Sequence, residues 1–233
     1  MSFILGIDTS TVELGVGLAN ERGAVLGVSR YLLNSHAEHI ARSVDFVLSS
    51  NAIAVSDVGH AVIAVGPGSF TGLRIGISFL KGLCFGRATK VLPVSSLESA
   101  AFAWHDRERP IVVAFDARNN EVFWARFEPQ GDALTRTIDD SLAPIDEMKS
   151  AIEDKDIVIT DSLGYAKSTV FDFLKDRPGA YSLERYPVQR GLACARLGMQ
   201  ALKSPDKWAS AADILPRYLS TTTMEKRMGI KAC

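Results

Sequence analysis

A chain of 233 residues can bury a real core, and it accommodates either one large domain or two small lobes. With 47% hydrophobic and 23% charged residues it reads as soluble and globular, and a net charge of -1 excludes an unaided grip on a nucleic-acid backbone. Its three cysteines, Cys84, Cys194 and Cys233, are odd in number, far apart and in no metal-ligand spacing, which points to a reducing cytoplasm and not to a disulfide framework.

The first thirty residues read as three strands joined by tight turns, 3–8, 13–19 and 24–30, a meander and not a strand-helix-strand opening. The chain starts directly on the first, FILGID, without the basic region or long apolar core of a signal peptide, so no export or membrane signal is expected. A helix is predicted over 36–50, where Ile40, Val44, Val47 and Leu48 recur at helical spacing and Ser35 or Asn34 is placed to cap it. His60 to Val65 reads as a buried strand and 73–83 as a second helix, with Thr71 available as its cap. A strand over 90–94 follows.

Between that buried strand and second helix stands GPGSFTGLRIG, Gly66 to Gly76. A strand-to-helix junction this rich in glycine turns backbone N–H groups outward, where they hold an anion or admit another backbone. Known phosphate and nucleophile templates fail on named residues. A Walker A loop needs four residues between its glycines and then Gly-Lys, whereas Gly68 and Gly72 enclose three and precede Leu73 and Arg74. The dinucleotide fingerprint fits Gly66 and Gly68 but finds Thr71 at its third glycine, and no acidic residue ends the following strand. A nucleophile elbow on Ser69 would have Pro67 and Thr71 in both glycine positions.

At Ile111 the pattern restarts. IVVAFDARNNEVFWARF can be laid on ILGIDTSTVELGVGLA so that Asp116 falls on Asp8 and Glu121 on Glu13, a constant offset of 108 residues. Two lobes of common design are the economical reading: 1–104 and 105–208, with the polar run HDRERP as connector and 209–233 able to pack back on the first lobe. The second lobe continues with a strand near 134–138, a helix over 144–153, a strand over 156–160, and helical stretches at 165–174 and 189–203.

An acidic residue closing a first strand, followed by a hydroxyl-rich turn, is what an actin-like ATPase uses to hold metal and phosphate between two such lobes. Here the turn is Asp8, Thr9, Ser10, Thr11, without the glycine that lets backbone reach phosphate. The equivalent turn, Asp116 to Asn120, has Arg118 and no glycine, and the strand over 156–160 leads into TDSLG with only Gly164. Asp8, Thr9, Ser10, Gly66, Gly68, Ser69 and Arg118 are therefore expected to form a vestigial nucleotide or anion site, with a turn-stabilising carboxylate as the simpler role of Asp8.

The ordered series IDTS, HAEHI, GPGSFTGLRIG, PVSSLESAA, DARNNEVFWA and LPRYL, running over essentially the whole chain, resembles the TsaB (YeaZ) family. The resemblance implies an α/β, actin-like fold of two ribonuclease-H-like lobes with mixed sheets flanked by helices. It also implies a part in making N6-threonylcarbamoyladenosine at position 37 of tRNA, as the non-catalytic partner of a TsaD paralogue in a complex with the ATPase TsaE. The TsaD paralogue is similar around the GPG turn but follows it with metal-binding histidines, where this chain has Ser95, Ser96 and Ser99. His36 and His39 stand at i and i+3 without a further ligand cluster, so no metal and no cofactor are expected. A stand-alone actin-like ATPase or kinase, and an M22-type glycopeptidase, are the alternative classes.

Function is then expected on surfaces. The helix after the junction is apolar on nearly every side, which asks for burial from more than one direction, either within a larger core or with one side against a partner. Through the resemblance, the first two helices pair with TsaD, or with a second copy when the chain is alone. The residues assigned to that interface are Ala37, Ile40, Ala41, Val44 and Leu48 on the first helix, with Leu73, Gly76, Ile77, Leu80 and Cys84 on the second. Contact with tRNA is expected only through the complex.

Overall fold

The computed structural model describes residues 3–31, 35–104, 108–161, 170–183, 186 and 188–219, with the side chains of 24–25 and 29–31 left aside. The chain divides into two compact units, 1–103 with 188–216, and 104–187 with 217–233.

In the first unit, β1 (Phe3–Asp8), β2 (Glu13–Asn20) and β3 (Gly23–Tyr31) form the antiparallel meander. After α1 (His36–Ser49), β4 (Val58–Ala64) pairs parallel with β1; after α2 (Phe70–Cys84), β5 (Lys90–Val94) pairs parallel with β4. Strand pleating sends alternate side chains to opposite faces. Leu5 and Ile7 of β1 thus join Leu14, Val16, Ala61 and Ile63 in a core with Ile40, Val44, Val47, Ile77 and Leu80 of the two helices. Ile4 faces the other way with Val62, Ala64 and Leu92, onto Cys194, Ala195 and Ala201 of a late helix, α5 (Arg190–Ala201). Asp8, even-numbered like Ile4, ends β1 on that second face.

The second unit repeats the plan. β6 (Ile111–Arg118), β7 (Glu121–Gln130) and β8 (Ala133–Pro144) form a meander, α4 (Ile145–Ala151) follows, and β9 (Ile157–Thr160) and β10 (Ala180–Ser182) add in parallel beside β6. The order β10-β9-β6-β7-β8 reproduces β5-β4-β1-β2-β3 of the first sheet. Two such ribonuclease-H-like lobes, each a mixed sheet flanked by helices, are the actin-like α/β architecture.

Three departures from the sequence reading bear on function. The helix at 190–201 belongs to the first unit, not the second, because glycines in β1 and β2 let it lie directly on that sheet. PVSSLESAA contains a helix the reading missed, α3 (Ser96–Ala103), started by Ser95, whose Oγ accepts from the N–H groups of Leu97 and Glu98 at 3.2 and 3.3 Å. Ser69, and not Thr71, caps α2: its Oγ accepts from Gly72 N at 3.2 Å. The segment 209–216 also returns to the first unit, where β11 (Ala209–Ser210) pairs antiparallel with β5 and Ile214 enters the core. Of the expected helix at 165–174, residues 170–174 are described and hold a 3-10 turn at Asp172–Leu174; Asn34, the connector residues 105–107, Gly164 and the tail beyond 219 lie outside the described residues.

Candidate functional site

The turn after β1 is filled from behind. A Cβ built on Gly6, Gly15 or Gly17 would stand 2.1 to 2.6 Å from backbone atoms of Gly191 or 2.3 Å from Leu192, so only glycine permits α5 to rest against β1 and β2. That approach delivers Arg190, the first residue of α5, beneath the turn with no solvent exposure.

The guanidinium there has five N–H donors and meets five acceptors. Nε donates to Glu13 Oε2 at 3.4 Å; Nη1 donates to Asp8 Oδ2 at 3.3 Å and Ser10 Oγ at 3.1 Å; Nη2 donates to Thr11 Oγ1 at 2.5 Å and the Glu13 carbonyl at 3.3 Å. Burial opposes the arginine's charge, yet Asp8 and then Glu13 outweigh it and hold the guanidinium above its ordinary range. The remaining capacity of Asp8 is also used: Oδ1 accepts from Ser10 N at 2.9 Å and Ser10 Oγ at 2.6 Å, and Oδ2 accepts from Ser99 Oγ at 2.5 Å. Asp8, Thr9 and Ser10 are buried.

The glycine-rich junction closes on the same turn from the other side. Ser69 N donates to the Ser10 carbonyl at 2.7 Å, and Thr9 Oγ1 donates to the Gly72 carbonyl at 2.8 Å. Space is equally committed: a Cβ on Gly68, Gly72 or Gly76 would meet Ser10 O at 2.3 Å, Thr9 O at 2.1 Å or Thr9 Oγ1 at 2.2 Å. Three of the junction's N–H groups are already donating, Ser69 N as above, Gly66 N to Ser96 Oγ at 3.1 Å and Gly72 N to Ser69 Oγ. The junction's close approach is therefore to its own turn. His36 at the start of α1 adds a third tie, its Nε2 donating to the Thr11 carbonyl at 2.9 Å. Burial, partly offset by that bond, keeps His36 below the ordinary histidine value of 6.5.

Asp8, Thr9, Ser10, Gly66, Gly68 and Ser69 come together around the turn, while Arg118 stands exposed on the second unit, its N–H bonded to Asp116 Oδ1 at 2.6 Å. The reading missed Arg190, Glu13 and Ser99. The signal available for Arg190 was an isolated arginine opening a small-residue helix, RGLACARLG, with glycines at alternate positions 15 and 17 of the strand it must cross. Among the described residues no three His, Cys, Asp or Glu side chains are grouped to hold a metal ion, and no helix is long and apolar enough to cross a membrane.

The expected interface needs correction. Ile40, Val44, Leu48, Leu73, Ile77, Leu80 and Cys84 are each at most 6% exposed, and Gly76 is buried against Thr9. Their apolar surface is spent on the lobe's own core, which α1, α2 and the returning segment 209–214 close together. Only Ala37 and Ala41 of that set are exposed; the outward apolar residues of these helices and their ends are Phe46, at 50%, and Phe85, at 88%.

The family described as TsaD, tRNA N6-adenosine threonylcarbamoyltransferase, matches residues 30–172. The tRNA threonylcarbamoyladenosine biosynthesis protein TsaB of Bacillus subtilis is 30% identical over 153 residues, 66% of this chain and 67% of that protein. TsaB of Haemophilus influenzae is 35% identical over 126 residues, so the match spans only 52% of its length. The solved structure of YeaZ from Pseudomonas aeruginosa superposes with a TM-score of 0.77 at 25% identity, covering 94% of this chain and 100% of that one. The chain therefore carries a TsaD-type domain and belongs to the TsaB (YeaZ) family.

Proposed function

We propose that the chain takes part in tRNA N6-threonylcarbamoyladenosine biosynthesis as a non-catalytic, scaffolding subunit that pairs with a TsaD-type paralogue, with a TsaE-type ATPase and tRNA joining through the complex. The observation that carries this reading is the sealed turn: the carboxylate placed to hold a metal-nucleotide, Asp8, is consumed by Arg190, Ser10 and Ser99. The serines standing where the resemblance puts the paralogue's metal-binding histidines are likewise occupied, Ser95 capping α3, Ser96 taking the Gly66 N–H and Ser99 bonding Asp8.

The partner surface is the outward side of α1 and α2, reached through Ala37, Ala41, Phe46 and Phe85, and the same surface serves self-pairing when the chain is alone. Exposed phenylalanines at helix surfaces suit an anchor role that the buried Ile77 and Leu80 cannot fill. The experiment is capture of the TsaD-type paralogue from native extract. Phe46→Asp with Phe85→Asp is expected to abolish capture and leave the fold intact, whereas Leu80→Asp unfolds the first unit. Loss of the chain is expected to lower threonylcarbamoyladenosine in tRNA. Micromolar binding and turnover of Mg-ATP by the isolated chain would overturn the scaffold reading in favour of an actin-like ATPase.

A further inference from the structure

The actin-like fold implies a bound nucleotide and its cation at the turn after β1, and the residues here do not fit one. Five acceptors that would face such a cation are each engaged by Arg190. The turn and the junction touch backbone to backbone, so a phosphate has no room between them, and the N–H groups of Gly66, Ser69 and Gly72 are already spent inside the protein. We propose that Arg190 is the permanent, tethered cation of this turn, replacing a diffusible ligand, and that through the turn it fixes the N-terminal ends of α1 and α2 to the sheet. The links run from Arg190 to Thr11 and on to His36 of α1, and from Arg190 to Ser10 and on to Ser69 at the cap of α2. What a nucleotide would do transiently in such a lobe is built in permanently here. The inference concerns the isolated chain and stands whether or not a partner docks on α1 and α2.

The cage defines its own ligand class: a planar, multi-donor monocation of guanidinium type, not a spherical divalent ion. Arg190→Ala should therefore lower the thermal midpoint and speed amide exchange in the first turns of both α1 and α2. Millimolar guanidinium or methylguanidinium, well below denaturing levels, should restore both readouts, while sodium and magnesium at equal ionic strength should not. A purely space-filling role for the side chain predicts instead that Arg190→Met behaves like the parent. Should the alanine variant fail to fold, the pair Arg190→Met and Asp8→Asn/Arg190→Met decides: the neutralised double variant should have the higher urea midpoint. The proposal is overturned if Arg190→Met matches the parent, if the double variant is no better than Arg190→Met alone, or if a folded Arg190→Ala ignores guanidinium.

Discussion

The turns that follow β1 and β6 start from the same spacing, an aspartate, four residues and a glutamate, DTSTVE in one unit and DARNNE in the other. They finish as different objects. In the second unit β6 runs on to Arg118, and Asn119 and Asn120, with φ of 54° and 59°, close a hairpin of the kind that needs two left-handed residues. Asp116 remains half-buried and spends one oxygen on its own turn. In the first unit β1 stops at Asp8, the turn stays wider, and a helix from the far end of the chain inserts a charge beneath it. Spacing sets where a carboxylate stands, and what arrives from elsewhere in the chain sets what it does.

The most forceful way to break this comparison is to remove both aspartates in parallel. Asp8→Ala leaves a buried guanidinium uncompensated and is expected to cost about 3–5 kcal/mol in urea unfolding. Asp116→Ala, losing one bond in a half-exposed turn, should cost about 1 kcal/mol. Equal effects would mean that the two turns are energetically alike after all. Next comes the approach of α5: Gly15→Ala puts a methyl 2.6 Å from Gly191 N and is expected to cost about 1–3 kcal/mol, read most directly as faster exchange in β1 and β2 and not in β6 and β7. Asn120→Val forces a β-branched residue into left-handed backbone and should cost about 1–2 kcal/mol, confined to the second unit's hairpin.

The smallest effect is acid sensitivity. Burial holds His36 and His60 below the ordinary value of 6.5, so the unfolded chain takes up their protons first. Stability is complete above 6.5 and falls as the pH drops through 6.5 toward the lowered folded values. Among the described residues every histidine lies in the first unit, so exchange protection there should weaken on acidification before that of the second unit, and His60→Gln should flatten the profile.

The meander, the helices and the repeated plan were legible because each rests on local periodicity, and the offset between Asp8 and Asp116 carried the duplication directly. α3 escaped because its start is announced by serines that read as turn residues until Ser95 is seen capping it. That most of the side chains assigned to the interface lie in the lobe's own core was hidden for a different reason. An all-round apolar helix reports how much of it is covered, not by what, and α2 receives α1, the sheet and residues 209–214 of its own chain. One tie makes that last cover explicit, Lys81 Nζ donating to the Ala212 carbonyl at 2.9 Å. Asp8 was found by its place at a strand end, but its partner lies 182 residues away, beyond any window of sequence pattern.

That separation has a consequence for synthesis. At about 5–20 residues per second, Asp8 is joined to the chain roughly 10–35 s before Arg190 is. Throughout that interval β1 and β2 lack the helix that covers one of their faces, and the whole of residues 104–187 is made in between. The 104–187 part of the second unit is therefore complete before the first unit is, and a nascent chain halted short of residue 190 carries Asp8 and Glu13 without Arg190 as their counter-charge.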